Sequence, residues 1–276
     1  MKRVEKALRL GHLSRRELLA RGLRESLLGR FGMVHIGAEF CENLLDELRI
    51  LKDAEHYRGK GLRVCILTPL LTDRGMKRFH SLLRGLESAF GRGKGAWEGV
   101  ELTVNDFGAL RSVREEGLGI RLNVGRLLNK NVLCLRKGII FVQNRHALGF
   151  FAGLGINRFE VSACGDRPET NFPSSGEFGF DPAQVHLTMY YPYLNMTSTR
   201  TCLLGMRDPS YRESPGRIDC RRECEACSFE FQHPQIQEEL VCAGNTVFMR
   251  FPRPFYSSEK ELLGIRVDRL VYCPWP

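Results

Sequence analysis

RVCILTPLLTDRGMKRFHSLLRGLESAF, residues 63–90, places a strand and a helix back to back. Residues 63–72 open on a continuous apolar run, the pattern of a strand buried on both faces. Residues 73–90 read as a helix, and a glycine-rich loop follows it. Working outward, the same unit recurs. Strands read over 34–41, 100–108, 120–129 and 158–163, with helices over 42–61, 107–117 and around 146–154. Alternation at this spacing favours parallel strands joined by right-handed crossovers. Further on, 185–196 reads as a strand, 245–258 as a hairpin, 258–265 as a short helix and 268–276 as a final strand.

Seven or eight such strands predict an α/β chain of the (β/α)8-barrel type, incomplete or distorted, with a doubly wound open sheet as the alternative. Residues 1–32 read as a basic helical segment in which Ser14 and Glu17 form a capping box. No first barrel strand is evident there. The expectation is therefore one barrel-like domain over 33–276, carrying a cysteine-rich segment over 196–230. Residues 164–184, rich in Gly, Pro and Ser, read as a loop.

The 276 residues are 43% hydrophobic and 26% charged, an ordinary globular balance. No eighteen-residue apolar run exists, so no membrane span is expected, and the basic N-terminus lacks the apolar core of a secretory signal. This predicts a cytoplasmic chain whose ten cysteines are thiols or metal ligands. A net charge of +9 and a pI of about 9.2 admit RNA or an acidic small molecule as partners. Aromatic residues are not interleaved with the basic ones as a stacking platform requires. Neither a dinucleotide fingerprint nor a P-loop is present.

In a barrel, chemistry gathers at the carboxyl ends of the strands. The polar residues there are Glu39, Asn105, Asp106, Asn123, Arg126, Asn129 and Asn195. Asp106 reads equally as a helix cap or an acid. Glu39, Asp106, Asn129 and Tyr191 are the candidate catalytic residues, and Tyr190, Tyr191 and Tyr193 are candidates to line an aromatic pocket or to belong to the core.

Four cysteines lie close together, Cys202, Cys220, Cys224 and Cys227, spaced C-x17-C-x3-C-x2-C. Thiolates select zinc or iron–sulfur. Structural zinc commonly uses paired C-x2-C knuckles, and only one exists here. Scattered spacing suits a cubane whose irons occupy separate corners. Arg200, Arg217, Arg221 and Arg222 lie near to offset its negative charge. Cys41 ends strand 34–41 and is a fifth candidate; spacing leaves open which four of the five act together. Cys65 and Cys134 read as buried small hydrophobes, and Cys164, Cys242 and Cys273 have no partner at ligand spacing.

Taken in order, these signals resemble the so-called peptidase U32 family, most of all its branch in ubiquinone biosynthesis. The likeness covers about residues 34–274. It rests on Gly37-x-x-x-Cys41, Asp106-x-Gly108, Gly125 to Asn129, the aromatic strand Tyr190–Tyr193, TRTCLL around Cys202, and Cys220-x3-Cys224. The resemblance implies a barrel with a [4Fe–4S] cluster on Cys41, Cys202, Cys220 and Cys224, with Cys227 entering if the segment is shifted. It implies oxygen-independent hydroxylation, an aromatic quinone precursor as substrate, prephenate as oxygen donor, and a heterodimer with a sister U32 protein. Other branches imply tRNA or ribosomal RNA as substrate. A non-catalytic zinc-stabilised partner subunit is the remaining alternative. No nucleophile–base constellation supports proteolysis.

Overall fold

The computed structural model describes residues 3–93, 95–136, 139–142, 144–164, 169–170, 184–200, 202, 204–205, 220–251 and 256–276. In chain order the first elements are strand β1 (Glu5–Gly11), helices α1 (Arg15–Ala20) and α2 (Glu25–Leu28), β2 (Met33–Gly37), α3 (Glu47–Gly59), β3 (Arg63–Leu67), α4 (Asp73–Phe90), β4 (Val100–Val104), α5 (Phe107–Glu116) and β5 (Arg121–Val124). A small hairpin, β6 (Leu133–Arg136) and β7 (Ile139–Val142), precedes α6 (Arg145–Gly153), β8 (Arg158–Ser162) and β9 (Glu169–Thr170). Then come β10 (His186–Tyr191), β11 (Tyr193–Ser198), α7 (Glu223–Ala226), β12 (Phe229–His233), β13 (Ile236–Ala243), β14 (Thr246–Arg250), α8 (Glu259–Gly264) and β15 (Val267–Tyr272).

Eight parallel strands close a barrel in the order β1-β15-β10-β8-β5-β4-β3-β2. This is a complete (β/α)8-type barrel, so the open-sheet alternative and the missing strand are both set aside. The closing strand is β1. It pairs with β15 through Ala7 opposite Val271 and with β2 through Ala7 opposite Met33. The expected helical segment over 1–32 is thus corrected for its first third, and no domain boundary falls at residue 33. Glu5, Lys6 and Arg9 hid the strand, because charges interrupt an otherwise apolar run. Lys6 faces out, and the other two have partners in the barrel: Glu5 accepts from Arg269 at 2.6 Å and from Arg63 at 2.5 Å, and Arg9 lies 3.7 Å from Glu39. Helix α1 follows as expected, its Ser14 and Glu17 forming the capping box.

Period-two alternation splits each barrel strand. One face packs on the helices, giving a large apolar layer that includes Leu8, Val34, Ile66, Phe79, Leu82 and Phe159. The other face points inward. Its apolar part, Ala7, Met33, Cys65, Leu67, Tyr190 and Val271, runs on to Val241 and Phe248. Those last two belong to a four-stranded antiparallel sheet, β11-β14-β13-β12, that sits at the carboxyl end of the barrel. The expected single strand over 185–196 therefore divides at Pro192. Tyr191 is paired in the barrel opposite Tyr272, whereas Tyr193 is paired in the small sheet opposite Arg250. Of the expected hairpin over 245–258, residues 246–250 form the single strand β14, which pairs back on β13; residues 252–255 lie outside the described ones. So does most of the expected loop over 164–184, and Cys134's side chain.

Candidate functional site

A cavity of about 490 Å³ opens at the carboxyl end of the barrel, between its rim and the small sheet. Cys41, Cys202, Cys220, Cys224 and Cys227 all line it, together with Arg9, Glu39, Phe40, Phe248 and Trp275. Four chain segments meet there. Gly37 ends β2 with φ of +98°, and a Cβ at that position would lie 2.6 Å from the Leu67 carbonyl oxygen. Only glycine lets the chain turn there, and the turn carries Ala38, Glu39, Phe40 and Cys41 over the rim. Cys224 lies in α7, against the β13–β14 turn at Gly244, where φ is +62° and an added Cβ would touch the Cys224 sulfur at 3.5 Å. Asn245 in the same turn donates to the Phe40 carbonyl at 2.8 Å, tying the small sheet to the Cys41 loop.

The five cysteines are not equivalent. Burial, and then the neighbouring Cys41, Cys202 and Cys220, push the Cys224 thiol up to about 12. Burial raises Cys41 too, with Cys220 and Cys202 acting in the same direction. These four sense one another. Cys227 caps the end of α7, is exposed, and donates to the Glu223 carbonyl at 3.3 Å. Cys242, expected to be structural, is buried beside Cys202, which raises it further after burial. Among the described residues, no three of the cavity cysteines bring their sulfurs within 4.8 Å of one another. Of the arginines expected nearby, Arg200 lines the cavity, Arg222 lies 3.7 Å from Asp46, and Arg217 falls outside the described residues.

Behind the cavity wall formed by Arg9 and Glu39 lies a buried ion pair. Arg126 holds Glu39 bidentately, Nε to Oε1 at 2.6 Å and Nη2 to Oε2 at 2.5 Å, and donates to Ser162 at 2.9 Å. Arg9 adds a longer contact to Glu39 at 3.7 Å. The Arg126 guanidinium lies over the Tyr190 ring at 4.1 Å and over Phe40 at 5.0 Å. Burial alone would lower the Arg126 pKa, but Glu39 outweighs it and holds the group fully charged. Below this pair sits Glu160, wholly buried, where burial and the nearby Glu39 push its carboxyl up to about 7. His12 also lines the cavity; burial, then Arg9, hold it down to about 3, so it is a neutral imidazole.

The other sequence candidates separate. Asp106 caps α5, accepting from Gly108 at 2.6 Å and Ala109 at 3.2 Å, and also takes the Leu71 amide. Its oxygens are occupied in structure. Asn105 binds the Thr68 carbonyl and the Leu127 amide, and Asn129 donates to the Glu160 carbonyl at 2.8 Å. Asn195 is buried on β11. Tyr191 faces away from the barrel interior, its ring against Tyr272, while Tyr190 faces inward and is fully buried. Arg9, His12, His35 and Glu160 were not among the candidates. For Arg9, His35 and Glu160 the signal was present: EKALRLG, MVHIG and RFEVS each place that residue between two apolar neighbours in a strand. In a closed barrel such a residue points inward.

No protein-family model matches the chain, and no curated protein matches it. A solved N-acetylglucosaminidase of glycoside hydrolase family 18 from Paenibacillus barengoltzii is similar at 10% identity, with a TM-score of 0.37 over 98% of this chain and 94% of that one.

Proposed function

We propose that the chain is an iron–sulfur protein of the U32 type that takes part in oxygen-independent hydroxylation. The observation that carries this reading is the convergence of Cys41, Cys202, Cys220 and Cys224, from separate segments, on one cavity at the barrel mouth. Four thiols on one cavity fit a [4Fe–4S] cluster. Zinc fits less well. A tetrahedral zinc at about 2.3 Å from each sulfur draws its ligands closer together than these stand. A cubane, with its irons at separate corners, tolerates the wider spread. Bound there, the cluster would supply electron transfer or activation of the oxygen donor.

The chain's own residues set the rest. Arg9 and Arg200, which line the cavity, offer positive charge to a carboxylate-bearing molecule such as prephenate. Phe40, Phe248 and Trp275 offer aromatic walls to a quinone precursor. The Glu39–Arg126 pair fixes the orientation of the guanidinium, and the rim excludes water from one side. A sister U32 protein as partner belongs to the same reading. Tyr191, turned outward, Asp106, committed to α5, and Asn129, committed to the Glu160 carbonyl, take no part in it; Glu39 remains at the site. RNA modification has only the net charge in its favour. Among the described residues no helix is long and apolar enough to cross a membrane.

The test is anaerobic purification followed by iron, sulfide and zinc analysis. The expected outcome is about four irons and four sulfides per chain, with a brown absorbance lost in Cys202→Ala. Zinc alone, or no metal, would sink the redox reading.

A further inference from the structure

Beneath the mouth, inside the barrel, five side chains form an open ring. His35 Nδ1 lies 2.8 Å from the Tyr190 hydroxyl, which donates to Glu160 Oε2 at 2.9 Å. Thr103 donates to Glu160 Oε1 at 2.8 Å, and Cys65 Sγ lies 3.2 Å from the Thr103 oxygen. His35 and Cys65 stand opposite one another on β2 and β3. The ring closes everywhere except between these two.

With Glu160 ionised, the protons can be assigned. Tyr190 has one hydroxyl proton and gives it to Glu160, so its oxygen accepts from His35 Nδ1–H. That fixes the tautomer and leaves His35 Nε2 a bare lone pair. This nitrogen has no partner, and His35 is wholly buried. Thr103 likewise gives its proton to Glu160, so the Cys65 thiol donates to Thr103. Asn123 Nδ2 lies 3.6 Å from Cys65 Sγ, and the Asn123 Oδ1 is itself buried without a partner. Each such orphan costs about 1–3 kcal/mol unless something fills it. The local charges are already matched: Arg269 binds Glu101 below, and Arg126 binds Glu39 above.

We propose that His35 Nε2, Cys65 Sγ and the Glu160 carboxylate bind a single divalent transition-metal ion, zinc being the best fit, at a site separate from the mouth cysteines. One ligand atom from each of the three lies within 4.8 Å of the other two. Imidazole, thiolate and carboxylate are all ordinary zinc donors at about 2.0–2.3 Å. Binding displaces the Cys65 thiol proton to solvent. One thiolate and one carboxylate then neutralise the dication, and imidazole adds no charge. The Nδ1–H to Tyr190 to Glu160 chain is the hydrogen-bonded support that metal-bound histidines usually have. Asn123, whose Oδ1 is buried without a partner, offers a further oxygen on the neighbouring strand β5. Because the ligands lie on strands and are sealed from solvent, the ion would enter as the barrel forms. The proposal does not depend on the cluster reading, since no residue is shared.

The test uses the Cys202→Ser/Cys224→Ser chain, which removes the mouth site. It is unfolded and refolded with cobalt(II) as the probe. The expected result is about one cobalt per chain with a near-ultraviolet thiolate-to-cobalt band. The band should disappear in Cys65→Ser and His35→Leu backgrounds, and binding should weaken at least tenfold, on the order expected for a lost ligand or its support, in Glu160→Gln. No band, or a band that survives Cys65→Ser in a chain with native far-UV circular dichroism, would overturn the proposal. Should Cys65→Ser fail to fold, X-ray absorption of the zinc-refolded Cys202→Ser/Cys224→Ser chain decides. One sulfur among nitrogen and oxygen ligands supports the site; no sulfur, or several, refutes it.

Discussion

Glu39 and Arg126 show how a charge pair behaves when water is excluded. Both side chains are almost fully buried, and their geometry is bidentate. Breaking such a pair from one side strands the other charge, at a cost of about 3–5 kcal/mol. Arg126→Ala should therefore lose about that much stability in urea denaturation. The Glu39→Gln/Arg126→Met double variant, which removes both charges, should recover most of it. A double variant as weak as the single one would mean that the pair matters for shape and not for charge. His12 gives a pH signature. Its folded-state pKa is depressed to about 3 by burial and by Arg9, with Arg49 and Arg21 adding and Glu17 opposing. Its unfolded value is the ordinary 6.5. Between those values the unfolded chain binds the extra proton, so stability is full above about 6.5 and is lost as the pH falls toward 3. Each unit is worth about 1.4 kcal/mol at most. A His12→Asn chain should show a shallower loss between pH 6 and 4. Parallel curves for the two chains would remove His12 from the acid response.

At the scale of elements, two of the family-like motifs turn out to do backbone work. Gly125 accepts the Asn129 amide at 2.9 Å, and Asp106 with Gly108 starts α5. Gly37 is the one that reaches the site, because its positive φ and its approach to Leu67 aim the Cys41 loop. Gly37→Ala should cost about 3 kcal/mol from strain and crowding. It should also displace Cys41, so iron retention should fall further than global stability predicts. Equal losses of both would confine Gly37 to folding. The elements themselves were legible where one period dominated. Helix α4 runs over the expected residues 73–90, and β8 and α5 match within a residue or two. What stayed hidden has one physical cause: a barrel interior accepts charge, and the usual equation of buried with apolar fails there. That disguised β1, and it kept His35, Glu160 and Arg269 off the list of candidates. The site cysteines were readable from spacing because thiolates have few other reasons to cluster. Spacing alone did not show that Cys41 reaches the others; the turn at Gly37 brings it to the cavity that Cys202, Cys220, Cys224 and Cys227 also line.

At the scale of the molecule, the cysteine set joins parts that the barrel alone does not bind firmly. Cys41 belongs to the barrel rim, Cys202 follows β11, Cys220 precedes α7 and Cys224 lies in it, and α7 makes surface contacts such as Arg21 to the Glu225 carbonyl at 2.7 Å. A cluster held by all four would act as a cross-link across about 180 residues of sequence. Anything that binds the folded chain and not the unfolded one stabilises it by mass action, about 3–4 kcal/mol at 100 to 1,000 times the dissociation constant. For a chain of this size that corresponds to a rise in Tm of roughly 5–15 °C. Anaerobic reconstitution with iron and sulfide should produce such a rise in the wild-type chain by calorimetry. Cys227→Ser should keep both the rise and the iron, because Cys227 points to solvent and to the Glu223 carbonyl. Cys41→Ser should lose both. If the two variants exchanged these behaviours, the ligand set would be Cys202, Cys220, Cys224 and Cys227. The cluster would then hang on the small-sheet side of the cavity and would no longer fasten that side to the barrel.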